Sequence, residues 1–482
     1  MLVATKRMIK LSAIENSYPL EHDSEGEFVW AQETFSFPKI EADHVLLHAC
    51  YHGENGELSF KLTDGTHGKV DLHFGWNEYL LTLNKAPERI ECKVSPMIEC
   101  KTDSRKLGLM IRSIHVVNNP AEVKHRLDRI ANLKLNQAEY ETGVTKLQSI
   151  PPYMRTSLET RCNIVPRCVY CHWDYAKQLE TRCDFNPGSL QTLEQLGVFI
   201  KMAVEIHDCS WGEVFVSKSF PQVAEYLLKT GSECTFTTNG ILMTEDRCEP
   251  LLAQPVRLYV SLDVSNAELF SRYRNSKFDD VITNIRRLCQ RKKQHENKPD
   301  VHIICIAMAS NFNDIPNVLE LAADLGVDGF FLQALHKQNM SRQHPVVQNG
   351  YEFNYEEECL DLVQLGELSE RLRSRAESLG LKYRADTPDY GDEGMTNTDI
   401  PLCSEPWKTV YPVSRGILPC CFGREPIAFW DQRGDKSLEH FVHDSINNSA
   451  MQEIRRALAA RQLGEYCRAC TSCPIVKRHL VD

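Results

Sequence analysis

The chain has 482 residues, of which 42% are hydrophobic and 25% charged. That length suits about three domains, and the composition excludes wholesale disorder. With 55 basic and 66 acidic side chains the net charge is −11, which lacks the basic footprint of a general nucleic-acid binder.

No apolar run approaches the roughly 18 residues of a membrane span. The N-terminal MLVATKRMIKLSAIENS is too interrupted by Lys and Arg to be a secretory segment. Neither nucleic acid nor membrane is expected as a partner, and the expected location is the cytoplasm.

Residues 1–120 read as an accessory all-β domain, a sandwich or jelly roll. The runs FSFPKI, DHVLLHACYHG, ELSFKLT, KVDLHF, EYLLTL and RIECKV follow at close spacing without a helical pattern between them. DSRKLGLMIRSIHVV, 103–117, closes the domain and resembles the end of small β-domains appended to bacterial glycosyltransferases and sugar-pathway methyltransferases. Residues 121–152 read as a helical linker ending at Pro151-Pro152.

From 153 to 340 strands and helices alternate. LETRC, HDCSWGE, CTFTTNG, VRLYVSLDV, HIICIAMAS and GFFLQAL are six strand-like segments with five helices between them. That order implies a parallel sheet with right-handed crossovers, an α/β partial (β/α)6 TIM barrel. Residues 341–400 form a connecting helical segment. Residues 401–482 make a small Cys-rich domain with one clear helix, SAMQEIRRALAAR.

Nineteen cysteines, an odd count without a signal peptide, argue against a disulfide framework. Cys162, Cys168 and Cys171 lie within ten residues after the first barrel strand, where α/β barrels build active sites. Three thiolates on a [4Fe–4S] cluster leave one iron open to an outside ligand. The bland alternative is a structural zinc site completed by His172.

This segment resembles the radical S-adenosylmethionine superfamily, whose usual pattern is C-x3-C-x2-C with an aromatic before the last Cys. Tyr170 takes that aromatic place, whereas Cys162 to Cys168 is C-x5-C, two residues longer. Further positions match in order. Gly212-Glu213 stands where the family places a pair that receives the methionine amino group. Thr238-Asn239-Gly240 ends the third strand. Ser261-Leu262-Asp263 matches the S-x-D of the fourth strand, whose serine in the family approaches S-adenosylmethionine, and Asn311 follows the fifth strand.

The tail resembles the SPASM/twitch extension, with Cys403, a G-x4-C at Gly416–Cys421 and the pair Cys467 and Cys470. These four would close an auxiliary [4Fe–4S] cluster; Cys420 or Cys473 could replace a neighbour, and a four-cysteine zinc ribbon is the alternative.

The resemblance implies S-adenosylmethionine as cofactor and flavodoxin or ferredoxin as electron donor. It implies reductive cleavage to a 5′-deoxyadenosyl radical that abstracts hydrogen from a substrate carbon. The expected outcome is oxidation or rearrangement of a carbohydrate-type substrate, with peptide or protein modification as the alternative. A non-catalytic, metal-stabilised carbohydrate-binding protein is the second alternative. Asp263, His336 and Arg274 are candidates near the barrel mouth, with a solvated rim as their ordinary role; no catalytic acid or base is identified.

Overall fold

The computed structural model describes residues 9–23, 26–83, 87–99, 105–117, 120–171, 188–209, 212–296, 298–335, 345–385, 401–420, 423, 425–464 and 467. The chain divides into two compact units, 1–131 and 132–482, and helix α1, Pro120–Glu141, runs through the boundary. Among the described residues no helix is long and apolar enough to cross a membrane.

The first unit is all-β. Its seven-stranded sheet contains β1 (Gly26–Phe37), β2 (His44–Leu62), β3 (His67–Thr82), β4 (Ile90–Ser95) and β5 (Met110–Val117). All pairings are antiparallel, and both β4 and β5 pair with β1 and with β2. The sheet therefore bends round nearly into a barrel, over a core including Phe35, Leu47, Tyr51 and Leu81.

The sequence suggests two runs in place of β2, split at Gly53-Glu54-Asn55-Gly56; the structure has one strand of 19 residues with a register shift between Tyr51 and Asn55. The glycines serve Tyr51 rather than a turn. A Cβ at Gly53 or Gly56 would fall 2.7 or 2.6 Å from its ring, which is fully buried and donates from its hydroxyl to Pro96 O at 2.8 Å.

In the second unit, six parallel strands lie side by side in chain order: β6 (Tyr153–Thr156), β7 (Glu205–Asp208), β8 (Glu233–Thr238), β9 (Arg257–Ser261), β10 (Asp300–Ala307) and β11 (Gly329–Ala334). The expected partial barrel is present and wider than six strands, but its first strand is Tyr153–Thr156, ahead of the expected LETRC at 158–162, which is loop. β12 (Lys382–Ala385) joins parallel beside β11, and β13 (Thr409–Val413) joins parallel beside β6. The sheet continues antiparallel through β14 (Gly416–Leu418) and β15 (Ala428–Phe429), ten strands in an open row.

Side chains alternate across each strand. Met154, Ile206, Phe236, Val260, Ile303 and Leu332 pack in one core with Val223 of α2 (Phe220–Lys229), Ile285 of α3 (Phe278–Lys292), Leu319 of α4 (Ile315–Leu325) and Leu368 of α5 (Leu362–Ser378). Each such fully buried aliphatic or aromatic chain contributes about 1.5–3 kcal/mol. The alternate positions, Arg155, His207, Arg257, His302, Phe331 and Arg384, fall on the other sheet face.

Candidate active site

The loop after β6 carries the three cysteines. Cys162, Cys168 and Cys171 are all half-buried, and Cys171 N donates to Cys168 O at 3.0 Å. Packing around its sulfur pushes the Cys168 thiol up to about 12; the Arg274 charge opposes this, and nearby Cys171 and Cys162 add to it. The three thiols are therefore neighbours.

Among the described residues no three His, Cys, Asp or Glu side chains converge as they would on a single metal ion. Three thiols can hold a [4Fe–4S] cluster with one iron open, whereas a closed zinc site needs a fourth ligand, and none is seen among the described residues. The proposed zinc partner, His172, lies outside the described residues.

Two devices hold this loop. The first is a short backbone pairing: Gly212 N donates to Glu159 O at 3.1 Å and Glu213 N to Arg161 O at 2.8 Å. The approach is so close that a Cβ at position 212 would sit 2.3 Å from Arg161 O. Only glycine fits there. The second is a buried polar knot. Tyr170 donates its hydroxyl to Asp263, whose Oδ2 also accepts from Arg274 Nε at 3.0 Å and Nη2 at 2.7 Å. Asp263 Oδ1 accepts from Ile306 N at 3.0 Å, and the Arg274 guanidinium lies 5.6 Å from the Tyr170 ring centroid. Asp263 and Arg274 are thus buried beneath the cysteine loop, not placed on a solvated rim. His336 lies outside the described residues.

Glu213 is buried, and its carboxylate accepts three hydrogen bonds: Oε1 from Phe215 N at 3.1 Å and Thr238 Oγ1 at 2.7 Å, and Oε2 from Asn239 N at 2.6 Å. Burial raises its pKa against the pull of these donors. A carboxylate offers about four acceptor positions, so one remains on Oε2. Asn239 Nδ2 then reaches Asn163 Oδ1 at 2.8 Å and lies 3.8 Å from Cys162 Sγ. The ends of β7 and β8 are in this way wired to the first cysteine. Ser261 ends β9, half-buried and in register with Ile304 of β10. Asn311 is fully buried and donates to Asp263 O and Ile306 O, both at 2.8 Å, which makes it a clamp on the β9 and β10 ends.

The second cysteine group also gathers. Cys403, Cys420 and Cys467 line a small cavity of about 20 Å³, with Pro406, Ile454 and Leu458 among its other walls. They come from the segment before β13, the end of the β14 turn, and the chain beyond α7 (Ser449–Ala459). Apolar walls and three cysteines on one cavity fit an enclosed cluster better than a solvated ion. The two other expected ligands, Cys421 and Cys470, and the spare Cys473 lie outside the described residues. Cys420, held only as a substitute on sequence spacing, is the described member of its pair at the cavity.

Residues 160–322 match the family model described as the Radical SAM superfamily. A protein of Methanocaldococcus jannaschii named probable GTP 3′,8-cyclase is 28% identical over 179 residues, 36% of this chain and 55% of that one. A tungsten-containing aldehyde ferredoxin oxidoreductase cofactor-modifying protein of Pyrococcus furiosus is 23% identical over 201 residues, 41% of this chain and 55% of its own length. The chain thus spans about half the length of these curated relatives. Among solved structures, Streptococcus suis SuiB bound to precursor peptide SuiA aligns with a TM-score of 0.48 at 15% identity, covering 75% of this chain and 76% of that one. The cysteine loop and the ordered strand ends all lie inside the matched region, so residues 160–322 form a radical SAM domain, the kind that uses a [4Fe–4S] cluster and S-adenosylmethionine.

Proposed function

We propose that this radical SAM enzyme carries a second, auxiliary iron–sulfur cluster and modifies a peptide or protein. Cys162, Cys168 and Cys171 hold the first cluster. Cys403, Cys420 or Cys421, Cys467 and Cys470 hold the auxiliary one. The observation that carries the reading is the convergence of Cys403, Cys420 and Cys467, from three separate segments, on one apolar cavity.

When bound, the open-iron cluster supplies the electron for reductive cleavage of S-adenosylmethionine and so for hydrogen-atom abstraction from the substrate. The chain's own residues position the reactants. The knot of Tyr170, Asp263 and Arg274 fixes the cysteine loop. The free acceptor position on Glu213 Oε2 suits the ammonium of the methionine moiety. Asn239 and Ser261 flank the same strand ends. A flavodoxin or ferredoxin fits as the electron donor. For the substrate, the open row of strands among the described residues supports the peptide reading, since an extended chain needs a side entrance. A carbohydrate-type substrate is the second reading, and the resemblance around 103–117 supports it.

Anaerobic reconstitution tests the proposal. About eight iron atoms per chain are expected, two clusters of four. The double variant Cys403→Ala/Cys467→Ala should keep about four, and should still form 5′-deoxyadenosine with dithionite. Stoichiometric zinc without iron would overturn the reading. Stimulation of 5′-deoxyadenosine release by peptide pools, and not by sugars, is the expected substrate result; the reverse favours the carbohydrate class.

A further inference from the structure

The polar face of the parallel sheet is unlike an ordinary packed barrel interior. Strand register sets Arg155 opposite His207, His207 opposite Thr235, Thr235 opposite Arg257, and Arg257 opposite Asp300. Two residues further along Tyr259 pairs with His302, and two further again, in the row of Ser261 and Ile304, Phe331 pairs with Arg384 of β12.

The carboxylates of Asp300, Glu233 and Glu205 all act on Arg257, yet none of them hydrogen-bonds its Nε. Arg155 is taken by Glu205 at 2.5 Å. Asp300 is shared, with Lys382 Nζ at 3.1 Å, His302 Nε2 at 2.9 Å and Arg257 Nε at 3.6 Å. At that last distance no hydrogen bond forms, and Arg257 Nε is buried without a partner. Arg384 is exposed and rests on the Phe331 ring at 4.9 Å. Among the described residues it has no carboxylate partner.

Two guanidiniums thus have donors to spare on the sheet face that also carries Tyr259 and Phe331, whose ring centroids lie 5.6 Å apart, and guanidinium forks match the oxygens of carboxylates and phosphates. We propose that Arg257 and Arg384, with Lys382 beside them, bind an anionic group of the substrate, a carboxylate or a phosphate. The proposal deepens the substrate side of the function proposed above and rests on it.

The protonation of His207 fits. Burial, then the charges of Arg155, Arg384 and Arg257, pull its imidazole down to about 3, so both guanidiniums of the proposed site lie close to one ring. Arg257 precedes Ser261 by four residues on β9, about 13 Å at the rise of a parallel strand.

Binding is read on the reconstituted full chain with S-adenosylmethionine and no reductant, so the outcome does not depend on whether cleavage occurs. Inorganic phosphate and succinate are titrated separately, by calorimetry and by thermal shift, against chloride at matched ionic strength. One of them should bind and raise Tm beyond chloride, and which one does so names the group. Arg384→Gln, at an exposed position, and Arg257→Gln should each weaken that Kd at least tenfold. Arg257→Lys, which keeps the charge, should recover part of the loss. Iron content and its absorbance serve as the folding control. Equal shifts in chloride, or variants with full iron that bind like the parent, would overturn the proposal.

Discussion

Asp263 gathers donors from three parts of the chain: Tyr170 on the cysteine loop, Arg274 just beyond the helix Ala267–Tyr273, and the backbone of β10. Its ion pair with Arg274 is almost wholly buried, at 1% and 5% side-chain exposure, so removing one partner strands a charge. Asp263→Asn should cost about 3–5 kcal/mol in urea unfolding, and should lower iron retention at the first cluster. Tyr170→Phe leaves the ion pair intact and should cost less, about 1.5–3 kcal/mol for a hydrogen bond to a charged group. Equal losses would mean that the pair does not anchor the loop. The sequence singles out Tyr170, Asp263 and Arg274 one by one, but not their meeting, because Tyr170 and Asp263 are 93 residues apart. His207 carries a pH prediction. Its folded pKa, about 3, lies below the ordinary value of 6.5, so between those values the unfolded chain binds the extra proton. Stability from this group is full above pH 6.5 and declines as pH falls toward 3. The Tm of His207→Gln should therefore fall less than that of the parent between pH 6.5 and 5. Parallel curves would refute the assignment.

At the scale of elements, the short pairing of 159–161 with 212–213 explains a glycine. Gly212→Ala places a Cβ 2.3 Å from a backbone oxygen, which no side-chain rotation relieves. The variant should fold, since the clash lies in a loop outside the sheet. It should lose most of the iron of the first site, and iron analysis against the auxiliary-site variant separates the two pools. Full iron occupancy would contradict the role given to this contact. Sequence reading found this pair because a Gly-Glu falls after a strand in the right order, and order is visible in one dimension. It missed β12 and β13, and the reasons are physical. KYRA is four residues long and follows a helix closely. TVYPV is buried at every position, so it shows no alternation, and its Pro412 argues against a strand. The helix α6 (Leu438–Ile446) was also missed in the Cys-rich tail; its start is marked only by the Ser437 side chain accepting from His440 N at 3.2 Å.

For the whole molecule, what matters is where the first unit can be cut away. The sequence treats 121–152 as a linker to Pro151, but residues 132–150 are built into the walls behind the Cys403 cavity. Asn136 Nδ2 donates to Trp407 O at 2.9 Å, Trp407 Nε1 to Val144 O at 2.7 Å, and Arg455 Nη1 to Thr145 O at 2.9 Å. Tyr140 packs edge-on against Trp407 with ring centroids 5.8 Å apart, and both join the buried group that contains Cys403 and Cys467. Arg455 is fully buried; burial pulls its pKa down to about 10, so it depends on those carbonyl acceptors to remain charged at low cost. A protein beginning at Asn132, the start of the second unit, should keep both clusters and form 5′-deoxyadenosine without substrate. One beginning at Pro151 keeps Pro406 O beside Arg455 but loses its other acceptor, Thr145 O, and the Val144 O that accepts from Trp407. It should retain the first cluster but fail to hold iron at the auxiliary site. Iron counts of about eight and about four per chain are the expected pair of results. If the shorter protein, soluble and folded, held the full complement, the helix end and the turn that follows it would be packing without consequence for the cavity. If the longer one lost iron, the β unit itself would be needed for a metal site, against the assignment of every ligand to residues after 160.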